Sequence, residues 1–141
     1  MLIDIDYKPL PLSDFKDVYI EGRPLELWAY QKVINLLEPF FDSGEEDITI
    51  FAKLASLDMQ PVVEKVFPTH LQNLKNVNIK ENGIERPAQI EELYHYGYFT
   101  NLCLDILIQL FHLSTVMPDE EKNSEGRLQL LDTQIEAPPS N

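Results

Sequence analysis

The sequence predicts a mostly α fold: a single helical-bundle-like domain with a minor N-terminal strand or small β-hairpin and an extended acidic C-terminal tail. Three observations lead there. Apolar residues recur at three- and four-residue steps through 24–41 and again through 87–116, the spacing of a helix face. The length, 141 residues, suits one domain and one core. Composition then divides the chain into an extended arm (1–23), a helical domain (24–116) and a polar acidic tail (117–141).

In the arm, Ile3, Ile5 and Tyr7 alternate with Asp4 and Asp6, the period of a short half-buried strand. Pro9 and Pro11 enforce an extended stretch. Ser13 is placed to cap a short helix through Ile20, and Gly22 breaks the chain before Pro24. Pro24 suits the first position of a helix, whose stripe is Leu25, Trp28, Ala29, Val33, Leu36, Leu37, Phe40 and Phe41. Pro39 is expected to kink its last turn or end it early.

A second helix is expected over 45–57, with Glu45, Glu46 and Asp47 in a first turn where the helix dipole favours acids. Asp58 can cap a short helix carrying Val62, Val63, Val66 and Phe67, and Thr69 another through Leu71 and Leu74. Asn82-Gly83 is a strong two-residue hairpin signal, although its flanks are short and polar, and a plain loop fits equally well. The longest helix is expected from Pro87 to Val116. Beyond residue 101 it is apolar almost all round, as in a central or interface helix. Gly97 is its weak point. The tail holds one apolar group, Leu128, Leu130, Leu131 and Ile135, too small to order itself alone.

Charge excludes more than it assigns. With 24 acidic and 11 basic residues the net charge is −13, and the three segments carry −2, −7 and −4. A phosphate ligand needs a basic footprint, so direct nucleic-acid binding and attachment to an anionic membrane are not expected. The single cysteine, Cys103, leaves no internal disulfide. The N-terminus lacks the pattern of a secretory leader, and no apolar run reaches the roughly 20 residues that a membrane span needs.

No motif defines a reaction. GxSxG, GxxxxGK[ST] and GxGxxG do not occur. His70, His95 and His112 lack a metal-ligand spacing, and the acids at 42–47 lack the calcium-loop spacing, so no catalytic residue, metal or cofactor is expected. Cys103, in the most apolar segment, reads as an inert core thiol. Asn101, Asp105, Gln109 and His112 form a polar stripe. It serves as a solvent-facing strip or bonds to a neighbouring element; a buried polar network, or a metal or proton-transfer site, is the sharper alternative. Tyr94, Tyr96, Tyr98 and Phe99 are either core and rim packing or, since tyrosine is enriched at contact hot spots, a protein-binding patch. With Leu128, Leu131 and Ile135 they are the candidate partner-binding residues.

The stretches LPLSDFKDVYIEGRPLELWAYQKVINLLEPFF, FAKLASLDMQPVVEKVF and PAQIEELYHYGYFTNLCLDIL together resemble the small tail assembly chaperones of long-tailed bacteriophages. The resemblance covers residues 8–113 and lies in layout rather than in any single motif. It implies a non-enzymatic viral protein that coats a long hydrophobic helical partner, or a small tail or baseplate component, in the host cytoplasm or on the virion. The expected function is therefore a protein-binding or assembly factor that engages a protein partner or forms a homo-oligomer. The alternative is an acidic inhibitor, a DNA mimic of the anti-restriction or anti-CRISPR type.

Overall fold

The structure, a computed structural model, describes residues 1–41 and 58–115. It corrects the mostly α expectation: the fold is mixed α/β, with two small antiparallel sheets beside the helices. Strands β1 (Lys8–Pro9), β2 (Tyr19–Gly22) and β3 (Leu71–Lys75) form one sheet in that order. β4 (Asn78–Glu81) and β5 (Ile84–Pro87) form a separate ribbon. The helices are α1 (Leu27–Phe41), α2 (Gln60–His70) and α3 (Thr100–Leu113), with 3-10 turns at Ile90–Tyr94 and Gly97–Phe99. Ile5–Ser114 form one unit, and Met1–Asp4 fall outside it.

Local chemistry accounts for each departure from the helical expectation. Ile3–Tyr7 lie outside any strand, and Ile3 and Ile5 are exposed, because the ladder forms one step later where Lys8 meets Gly22. The stretch after Ser13 runs into β2 rather than a helix. Val18, Tyr19 and Ile20 are β-branched or aromatic and suit a pleated surface, and β3 supplies a partner. The helix expected through Leu71 and Leu74 is β3. Asn73 and Asn76 take positive φ (58° and 69°), a conformation no helix contains. The register against β2 shifts between Tyr19 and Glu21, as at a bulge.

The long helix expected from Pro87 starts at Thr100. Pro87 ends β5, the next residues turn through two 3-10 segments, and Gly97 opens the second of them. Helix α1 starts at Leu27 rather than Pro24 and keeps Pro39 in its last turn. The helix expected over 45–57 lies outside the described residues, as does the tail from 117. The Asn82-Gly83 alternatives resolve as the hairpin joining β4 to β5.

The core forms around α3. Leu102, Cys103, Ile106, Leu107 and Leu110 of that helix are buried. They pack in one cluster with Leu10, Leu12 and Ile20 of the arm, Ala29, Val33 and Leu37 of α1, Val63, Val66 and Phe67 of α2, and Leu93. Gly22 permits a close approach: a Cβ there would lie 2.7 Å from Leu110 Cδ2 and 3.1 Å from Leu10. Tyr30 of α1 stacks on Phe111 at 5.4 Å.

Two substitutions test this packing by chemical denaturation. Leu107→Ala should cost about 2–5 kcal/mol, as buried leucines do, and Gly22→Ala about 1–3 kcal/mol through overpacking. A loss below about 1 kcal/mol for Leu107→Ala would place that side chain at the surface.

Candidate protein-docking site

The polar stripe on α3 divides by partner. Asp105 is buried, and its Oδ2 accepts the backbone N–H groups of Ser13 (2.9 Å) and Asp14 (3.1 Å). Gln109 Nε2 reaches Ser13 Oγ at 3.5 Å. Asn101 and His112 are exposed. Two members thus tie the arm to α3, the reading in which the stripe bonds to a neighbouring element. Cys103 is buried, its thiol points at the Leu93 carbonyl (3.1 Å), and burial pushes its pKa up to about 12. A thiol held protonated in this way is a weak nucleophile.

His70 has a role that its sequence context did not signal. Its side chain is 0% exposed at the end of α2. Nδ1 lies 3.0 Å from the Val66 carbonyl, which can only accept, so Nδ1 carries the proton. Nε2 then accepts the N–H of Glu26 at 3.2 Å, just before α1. The His70 carbonyl accepts the Arg23 N–H (3.1 Å). Arg23 donates in turn to the Thr69 carbonyl and pairs with Glu26 at 3.0 Å. The indole of Trp28 meets the imidazole edge-on at 5.7 Å. Burial holds the His70 pKa below the ordinary histidine value. Among the described residues no three or more His, Cys, Asp or Glu side chains group to hold a metal ion.

The tyrosine group divides as well. Tyr94 is half-buried and meets Phe67 of the core at 6.2 Å. Tyr96 and Tyr98 are 48% and 92% exposed. Phe99 joins them edge-to-face, 6.5 Å from Tyr96 and 5.6 Å from Tyr98. Facing this shelf is β4. Asn78, Ile79, Lys80 and Glu81 form the other wall of an open groove of about 440 Å³. The structure thus brings Tyr96, Tyr98 and Phe99 together and sets Tyr94 against the core. Leu128, Leu131 and Ile135 lie outside the described residues.

The hairpin is held in place by its turn and by one arginine. Asn82 and Gly83 take φ of 54° and 80°, the paired positive values of a type I′ turn. Glu81 pairs with Ile84, Lys80 with Glu85, Ile79 with Arg86 and Asn78 with Pro87. Arg86 bridges Glu92 (2.6 Å) and Glu81 (3.3 Å). Glu92 also accepts the Gln89 N–H that starts the following 3-10 turn. The Arg86 guanidinium holds the Glu92 carboxyl down at about 2, so the clamp stays charged except in strong acid.

In a two-residue hairpin the pair flanking the turn exchanges both hydrogen bonds, and pairs alternate outward from it. Glu81 and Ile79 therefore aim their backbone groups at β5, and the Ala88 N–H on the Val77 carbonyl (2.8 Å) continues that phase. Asn78 and Lys80 aim theirs away. Pro87, which has no N–H, pairs with Asn78 accordingly. No strand adjoins β4 on its other side among the described residues.

No family model matches the chain, and neither a curated protein nor a solved structure does so. No helix among the described residues is long and apolar enough to cross a membrane.

The His70 latch carries a pH dependence with a definite sign. A histidine whose folded pKa is depressed lends stability that is full above its unfolded value and declines as pH falls. Stability should therefore drop as pH falls below about 6.5, the unfolded histidine value. His70→Gln should cost about 1–3 kcal/mol at pH 8 and flatten that slope. Denaturant melts followed by the fluorescence of Trp28 across pH 5–8 check this; a slope unchanged in the variant would contradict it.

Proposed function

We propose that this chain is a non-catalytic protein-binding module, an assembly factor that docks a partner through the open edge of β4 and the shelf of Tyr96, Tyr98 and Phe99. One observation carries the reading: a strand edge with outward N–H and C=O groups lies beside a tyrosine that is 92% exposed. An exposed edge is a template for strand addition, and exposed tyrosines offer a large contact area at small entropic cost. The resemblance to tail assembly chaperones gives this reading a setting, the building of a phage tail. Glu81, the acid that lines the groove, is paired with Arg86, which favours protein docking over mimicry of DNA phosphates.

The test uses a photo-crosslinking amino acid at position 98 and, as control, at the exposed Lys65. Position 98 should give an adduct of discrete mass, and position 65 none. Lys80→Pro should abolish the adduct while leaving the helical circular dichroism intact, because proline there removes only an outward donor. An adduct equal at both positions, or one indifferent to Lys80→Pro, would refute the docking site.

A further inference from the structure

We infer that Asn82 is a site of spontaneous covalent modification, where ring closure onto the Gly83 nitrogen converts the turn to isoaspartate and loosens the β4–β5 ribbon. The inference does not depend on a partner at β4. Asn82-Gly83 is the only Asn-Gly step in the sequence. The structure sets it apart from two asparagines that share its backbone conformation. Asn73, Asn76 and Asn82 all take positive φ, at 58°, 69° and 54°. Asn73 donates its side-chain amide to Glu21 Oε1 (2.9 Å), and Asn76 donates its own to the Asp17 carbonyl (2.9 Å). The bulky Leu74 and Val77 follow them. Asn82 is exposed, and its side-chain amide has no partner among the described residues. Glycine follows it, in a place so open that an added Cβ would meet nothing within 4 Å.

The Gly83 nitrogen is free of the ladder as well, because Glu81 and Ile84 flank the turn and exchange its bonds with each other. A side chain that nothing holds can therefore reach a main-chain nitrogen that no neighbouring Cβ crowds. That nitrogen attacks Asn82 Cγ. The N–Cγ bond forms, the bond from Cγ to the side-chain nitrogen breaks, and the proton shed by Gly83 departs on ammonia. Water then opens the cyclic imide at either carbonyl, leaving its hydroxyl on that carbon and its proton on the Gly83 nitrogen. Opening at Cγ yields aspartate. Opening at the main-chain carbonyl yields isoaspartate, with the chain now routed through Cβ. The two products differ in what they do to the ribbon. Asp-Gly suits a type I′ turn as Asn-Gly does. Isoaspartate adds an atom to the main chain of a loop whose length fixes the register. Glu81 and Ile84 then no longer close the turn in phase, and Arg86 loses the placement that pairs it with Glu81. Loss of ammonia makes the change one-way, so the hairpin carries an ageing clock.

The test ages the folded full chain in mildly alkaline buffer and follows each asparagine by residue-resolved mass spectrometry. Position 82 should gain about 1 Da and appear as two isomers. It should do so at least about tenfold faster than Asn73 or Asn76, which larger residues follow. The isoaspartyl fraction, separated by chromatography, should lose the hydrogen-exchange protection of the Ile79 and Glu81 amides. Asn82→Gly keeps a turn of the same type and should show neither the mass gain nor the loss of protection. An unchanged mass at position 82, or equal conversion of Asn73 or Asn76, would overturn the modification site. An isoaspartyl fraction that keeps Ile79 and Glu81 protected would overturn its effect on the ribbon.

Discussion

A helix that is apolar on nearly every side must be covered on nearly every side, and α3 imposes that demand on the whole unit. The arm covers it where Asp105 caps the amides of Ser13 and Asp14 and where Gly22 admits Leu110. Helix α1 covers it through Tyr30 on Phe111, and Leu25, ahead of α1, donates its N–H to Ser114 Oγ at the end of α3 (2.7 Å). The turn after β5 covers it where Cys103 meets the Leu93 carbonyl. Elements too short to stand alone, such as a two-residue β1, persist because α3 gives them apolar surface to bury. His70 completes the frame by joining the end of α2 to the start of α1 with one neutral imidazole.

What this frame leaves unused is informative. The strands are divided between two sheets, and nothing among the described residues extends β4. The hairpin nevertheless keeps its position, since Arg86 ties it to Glu92 and the 3-10 turn that Glu92 helps to cap. A fixed edge differs from one that frays: a strand added to it would meet a preformed template and lose little ordering entropy. The 3-10 turn that follows, Gly97–Phe99, carries Tyr96 and Tyr98 alongside. Scaffold and surface are therefore coupled through a few residues, 86–99, between the ribbon and α3.

Much of the scaffold is legible in the sequence. The apolar stripe of α1, the apolar girth of α3 and the short Val62–Phe67 helix all show as periodicity, because burial on one face selects residue type at fixed steps. The three-stranded sheet is not legible. β2 and β3 are brief, and the β3 region carries two asparagines in the left-handed region, Asn73 and Asn76; their pairing depends on a partner some fifty residues away, which no local pattern encodes. The segment 87–99 reads wrongly as helix because Leu93 and Tyr94 keep helical spacing while the chain turns through 3-10 geometry. Within the site, the tyrosines are visible as a group, but only burial separates Tyr94 from Tyr96 and Tyr98. The outward backbone of β4 has one sequence signal, Asn82-Gly83, which fixes the hairpin phase and hence which amides point outward.

The claim that β4 presents a free, ordered edge is tested most directly by amide hydrogen exchange resolved to single residues, on dilute protein. The amides of Ile79 and Glu81, bonded to β5, should be protected, and those of Asn78 and Lys80 should exchange near the rate of unstructured chain. Equal protection of all four amides at high dilution, or equal loss of protection, would contradict the account.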